Sequence, residues 1–200
     1  VTHNVARVSF SDDKNWFRYL PAYLVGGNMS LAYWSPAGLE TAAFVFFASL
    51  AILWYLQRNR LLIFALLLAV WIRPDGAVVA ALLILVEAIT ERRFPSFSFT
   101  CAGIALVLSL PFVVFKLMYY GSILPNPFYA KTGFSWGYIV AGAEYAGEFF
   151  THYGFLGIGM IVVLVMFKRI STDSRSLWLY ILGYSAYIIV IGGDVLKVHR

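Results

Sequence analysis

A small set of polar side chains sits where this sequence should be apolar. Glu40 lies in SPAGLET, Arg73 and Asp75 in RPDG, Asn126, Tyr129 and Lys131 in LPNPFYAKTG, and Asp194, Lys197, His199 and Arg200 in the terminal GGDVLKVHR. Each motif ends or interrupts a hydrophobic run. Arginine offers a forked pair of donors that fits a phosphate, lysine a point charge, and an aspartate can pair with a neighbouring cation. Such a set suits a site handling an anionic group. Each motif also has a plainer reading: RPDG as a turn, GGDVLKVHR as a basic helix flank, the proline-held loop as an outer connection, and Glu40 as a carboxylate favoured by a helix N-terminus.

What must position these groups follows from composition. Of 200 residues, 61% are hydrophobic and only 12% charged, with a mean hydropathy of +0.78. Soluble domains carry about 25% charged residues, so this chain could not cover its outside with polar groups, and a bilayer is its natural solvent. The net charge of +5 comes from short basic clusters between apolar runs, which argues for membrane topology and against nucleic acid. A single cysteine, Cys101, excludes an internal disulfide. His3, His152 and His199 are scattered. No cofactor is implied, and a divalent metal stays open.

Apolar runs over Ala37–Leu56, Phe97–Tyr119 and Leu177–Ile191 have roughly the length of membrane helices. Phe149–Phe167 adds another, and Tyr19–Tyr33 a weaker one interrupted by Gly26, Gly27 and Asn28. Between Leu61 and Ile89, RPDG separates two shorter runs; one continuous helix would bury Arg73, Asp75 and Pro74, so two short helices are expected. The expected fold is therefore all-α: a polytopic bundle of about seven membrane helices. The stretch WGYIVAGAEYAGEFFTHYG places Tyr138, Ala141, Tyr145, Phe149 and His152 at helical spacing, which predicts an amphipathic interfacial helix.

The basic connections QRNR (57–60), ERR (91–93) and KRISTDSR (168–175) fall on one side of such a bundle. The positive-inside rule makes that side cytoplasmic, which puts every candidate motif on the other. Asp12 and Asp13 form a carboxylate pair in SDDKNWFRY, but on the cytoplasmic side, as a solvated charge run. The sequence lacks an initiator Met and stops after a charged cluster, so an internal part of one longer transmembrane domain is expected.

SPAGLETAAF, RPDG within a split apolar run, YYGSILPNPFYAKTG and GGDVLKVHR, taken in order, resemble the membrane glycosyltransferases of the GT-C fold class that use polyprenyl-phosphate sugars. The resemblance is closest to the bacterial branch that adds terminal arabinofuranose to cell-wall arabinan, and it covers the chain from about Tyr19 onward. It implies a many-helix bundle in the bacterial inner membrane, with membrane lipids around it and its active face periplasmic. It also implies inverting transfer of an arabinofuranose- or mannose-type sugar to a cell-envelope glycan or lipid acceptor. In that family the base is usually an aspartate in the first outer loop; no residue here matches it, so the base is expected upstream and the chain alone inactive. Arg73, Lys131, His199 and Arg200 are the candidates for meeting the lipid phosphate, and Asp75 and Asp194 for sugar hydroxyls or for orienting those cations. Broken helices with membrane charges also suit a transporter or lipid flippase, and a noncatalytic membrane scaffold subunit is a third reading.

Overall fold

The structure, a computed structural model, describes residues 20–36, 40–122, 136–154 and 171–193, and all regular structure among them is helical. Helices α1 (Leu20–Gly26), α2 (Met29–Trp34), α3 (Thr41–Leu56), α4 (Leu62–Ile72), α5 (Gly76–Glu91) and α6 (Ser96–Tyr120) belong to one compact unit; α7 (Trp136–His152) and α8 (Thr172–Val190) belong to a second.

The weak first run breaks where its glycines and asparagine predicted. Asn28 is the N-cap of α2, its side-chain oxygen accepting the Leu31 N–H at 2.9 Å. Neither α1 nor α2 is long enough to cross a bilayer.

In the first unit α4 is the centre, packed against α3, α5 and α6. It is apolar on every side, and Leu62, Ala65, Leu66, Leu67 and Ala69 are buried. Proline ends it: Pro74 forbids helical backbone at the residue before it, and Arg73 is accordingly extended at φ −142°, ψ 141°. The chain turns through Pro74 and Asp75 and re-enters helix at Gly76. A Cβ there would collide with the backbone of Ala69 and Val70, so the missing side chain is what lets α5 start directly on α4. The predicted pair of short helices around RPDG is thus present, with Asp75 as the N-cap position of α5.

Helix α6, at 25 residues and a mean hydropathy of 2.2 over its most apolar window, is long and apolar enough to cross a membrane. Its outward face carries Leu106, Val107, Phe115 and Met118, all more than half exposed. Pro111 lies within it and removes one rung of its hydrogen-bond ladder. Helices α3 and α4 are apolar but shorter: α3 begins at Thr41 with Glu40 as N-cap, and residues 37–39 lie outside the described residues. About seven spans are expected; among the described residues one helix, α6, meets the length and composition of a span.

In the second unit α8 starts at Thr172, earlier than the apolar run, because Ser171 caps it: its hydroxyl accepts the Ser174 N–H at 3.3 Å. Helix α7 extends through Phe149, so the start assigned to a span at Phe149–Phe167 belongs instead to the end of α7; residues 155–170 lie outside the described residues. The two helices pack tightly, Gly142 against the backbone of Ile189. The helix expected over this stretch is present as α7, and its tyrosines pack on the end of α8. Tyr138 and Tyr145 lie against Gly192 and Gly193 at the end of α8, whereas Ala141, expected on the same stripe, is exposed and Gly142 is buried in its place.

Candidate functional site

Two charged clusters cap the two ends of the first unit. At one end α4 meets α5 and the N-terminus of α3. Both Nε and Nη2 of Arg73 donate to Oδ2 of Asp75, at 2.9 and 2.7 Å, and Nη1 lies 3.8 Å from Oε1 of Glu40. The guanidinium stands over the Phe44 ring, 5.5 Å from its centroid. Glu40 and Phe44 are one helical turn apart, so α3 presents a carboxylate and an aromatic platform on one face. The side chains of Arg73, Asp75 and Glu40 are 27%, 17% and 44% exposed. The cluster is half-sheltered and open.

The structure thus brings together three predicted site residues from two separate motifs. Among the described residues, Arg73 is hydrogen-bonded by Asp75 and lies near Glu40. Asn126, Tyr129, Lys131, Asp194, Lys197, His199 and Arg200, like Asp12 and Asp13, lie outside the described residues.

The glycines that precede Asp194 are described, and they have a local explanation. Gly192 and Gly193 adopt φ of +86° and +68°. The Gly193 N–H donates to the Ile188 carbonyl at 2.9 Å and the Gly192 N–H to that of Ile189 at 3.2 Å. This is a Schellman motif closing α8. The tyrosines of α7 then cover both glycines, so a side chain at either would meet an aromatic ring as well as a strained backbone.

At the opposite end lies a cluster that sequence reasoning missed. Glu87, almost fully buried on α5, accepts a hydrogen bond from Arg58 Nη1 at 2.8 Å on one oxygen and from the Ser98 backbone N–H at 2.8 Å on the other. Arg58 also pairs with Glu91, and Glu91 with Arg93. The Arg58 guanidinium is flanked by the rings of Tyr55 and Phe97, at 5.5 and 5.2 Å. One signal was available: a lone carboxylate inside AVVAALLILVEAI, with arginines in the connection before it, requires a partner. Arg58, read as a loop charge, is therefore a structural residue that joins α3, α5 and α6.

Lengths set the depth of the first cluster. About 16 Å of helix, the length of α4, separates the two charged ends. The Trp71 ring lies 5.3 Å from that of Phe112, which registers the Arg73 end on α6. From Phe112 to Tyr120, α6 continues for about another 12 Å. Its last turns, with Phe115, Met118, Tyr119 and Tyr120 exposed, continue beyond the Trp71 contact.

Comparison with protein-family profiles, curated proteins and solved structures finds no match to this chain.

Proposed function

We propose that the chain is part of an integral membrane glycosyltransferase with a GT-C-like bundle, acting at the outer face of a bacterial inner membrane. It transfers an arabinofuranose- or mannose-type sugar from a polyprenyl-phosphate donor to a glycan or lipid acceptor of the cell envelope. The reading is supported by the ordered resemblance of the four polar motifs. The structural observation that carries it is the meeting of SPAGLET and RPDG in one half-open Glu40–Arg73–Asp75 cluster on the Phe44 ring.

Carboxylates and a guanidinium, fixed in one another's hydrogen-bonding reach, suit the vicinal hydroxyls of a sugar, and an aromatic face suits its C–H surface. The two carboxylates suit this edge to sugar hydroxyls, and Arg73, Lys131, His199 and Arg200 are the cations offered to the departing phosphate. With α6 spanning a hydrocarbon core of about 30 Å, the cluster lies roughly 10 Å below the level of Tyr119 and Tyr120. A polar group at that depth needs a water-filled recess or a thinned bilayer. No described residue is assigned as the base.

The test is transfer of labelled sugar from a polyprenyl-phosphate donor by the full-length protein in proteoliposomes. Arg73→Lys and Asp75→Asn should each slow turnover by roughly one to two powers of ten, as expected for a charge-assisted contact made in the transition state. Wild-type turnover in both variants would remove the cluster from the site. Movement of the intact lipid-linked sugar across the bilayer, without formation of a glycosidic bond, would instead establish the flippase reading.

A further inference from the structure

Two residues other than glycine take left-handed backbone among the described residues, and both are arginines at the same end of the first unit: Arg58 and Arg92, each at φ +52°. Arg58 occupies the position in a Schellman motif that usually holds glycine: its N–H donates to the Tyr55 carbonyl at 3.0 Å and the Asn59 N–H to that of Trp54 at 2.8 Å. A non-glycine residue in this region costs about 1–2 kcal/mol. For Arg58 the compensation is internal, since its side chain reaches Glu87 and Glu91. Arg92 closes α5 in the same conformation, is exposed, and makes no ion pair among the described residues. The helix dipole explains a cation there but not the choice of arginine over glycine or asparagine in left-handed backbone.

Arg60 is the second outward cation. It is exposed, and its backbone is held rigidly: the Asn59 side chain accepts the Leu61 N–H at 2.9 Å and the Arg60 carbonyl accepts that of Ile63 at 3.1 Å. The Arg58–Glu91 ion pair ties the two loops to one end of the bundle. Among the described residues, Arg58, Arg60, Arg92 and Arg93 against Glu87 and Glu91 give this end a formal charge of +2. Directly beside the arginines, Phe94 and Leu61 are 67% and 44% exposed. Anion-binding charge adjoining exposed apolar side chains is complementary to one kind of surface, the headgroup–acyl boundary of an anionic bilayer.

We propose that this end binds anionic phospholipid headgroups through the exposed Arg60 and Arg92, with Phe94 and Leu61 set into the acyl boundary. The proposal rests on the membrane reading and not on sugar transfer, so it can fail or succeed independently of the enzyme assignment. It is tested by purifying the full chain from membranes containing phosphatidylglycerol and phosphatidylcholine, and measuring by mass spectrometry which lipid stays bound through gel filtration in mild detergent. Wild type should retain phosphatidylglycerol in preference to phosphatidylcholine. Arg60→Gln with Arg92→Gln should lower that retention by about tenfold or more, whereas Arg93→Gln, whose arginine is already held by Glu91, should change it less than about twofold. Equal retention of both lipids by wild type, or undiminished phosphatidylglycerol in the double variant, would overturn the proposal. Should the double variant not fold, wild type alone decides: retention that does not weaken as salt rises from about 50 to 500 mM is incompatible with headgroup charge as the source of binding.

Discussion

The two ends of the first unit use the same parts to different effect. Each has one arginine facing two carboxylates, Glu87 and Glu91 of α5 at one end and the N-cap residues of α3 and α5 at the other, and each sets the guanidinium on an aromatic ring. At the Arg58 end one carboxylate, Glu87, is 1% exposed, with both oxygens engaged. At the Arg73 end both carboxylates keep partial exposure, and the Glu40 contact, at 3.8 Å, is loose. A buried, fully hydrogen-bonded ion pair is strongly disrupted by loss of one partner, whereas a half-exposed pair contributes little to stability. Burial, more than residue type, separates the fastener from the candidate site.

The comparison breaks most directly at Glu87. Arg58→Ala leaves its carboxylate buried without its cation and should lower stability by roughly 2–4 kcal/mol, toward the lower end for a buried pair because Arg58 is itself 43% exposed. Thermal unfolding in detergent would show it, and a loss no larger than that of Arg73→Ala would erase the distinction between the two ends. Next in size, Gly76→Val forces α5 off the backbone of α4 and should cost about 1–3 kcal/mol, while also lowering turnover because Asp75 moves with the turn. Arg73→Ala should change stability by less than about 1 kcal/mol yet reduce sugar transfer; equal losses in both measurements would make it a second fastener. The smallest effect is expected for Arg93→Gln, within about 0.5 kcal/mol, since its pair with Glu91 is exposed.

Much of this arrangement is legible in the residues themselves. Pro74 dictates the extended Arg73 and the break between α4 and α5; Gly26, Gly27 and Asn28 interrupt the first run; the length of the apolar stretch around Cys101 gives α6. The RPDG site also could be found from sequence, because a charge between two short apolar helices is itself conspicuous. Glu87 was less conspicuous as one acid in a run that otherwise reads as lipid-compatible. The stripe on α7 follows from the three- and four-residue spacing of Tyr138, Ala141, Tyr145, Phe149 and His152, whereas Gly142, which makes close packing possible, carries no hydrophobic signal.

What the sequence determined alone was the all-helical class, the affinity for an apolar surrounding and the places where helices must stop. These depend on local backbone chemistry: proline and glycine restrict or relax φ within a few residues, and runs of hydrocarbon side chains act through their sum. Tertiary structure alone decided which carboxylate each arginine takes, that Glu87 is buried, that Gly76 and Gly142 are points of close helix approach, and that Tyr138 and Tyr145 cover the glycines ending α8. The partners there are distant in the chain, 29 residues apart for Arg58 and Glu87. Charge attracts any opposite charge with little regard to sequence, so only the packing of the helices selects among the candidates.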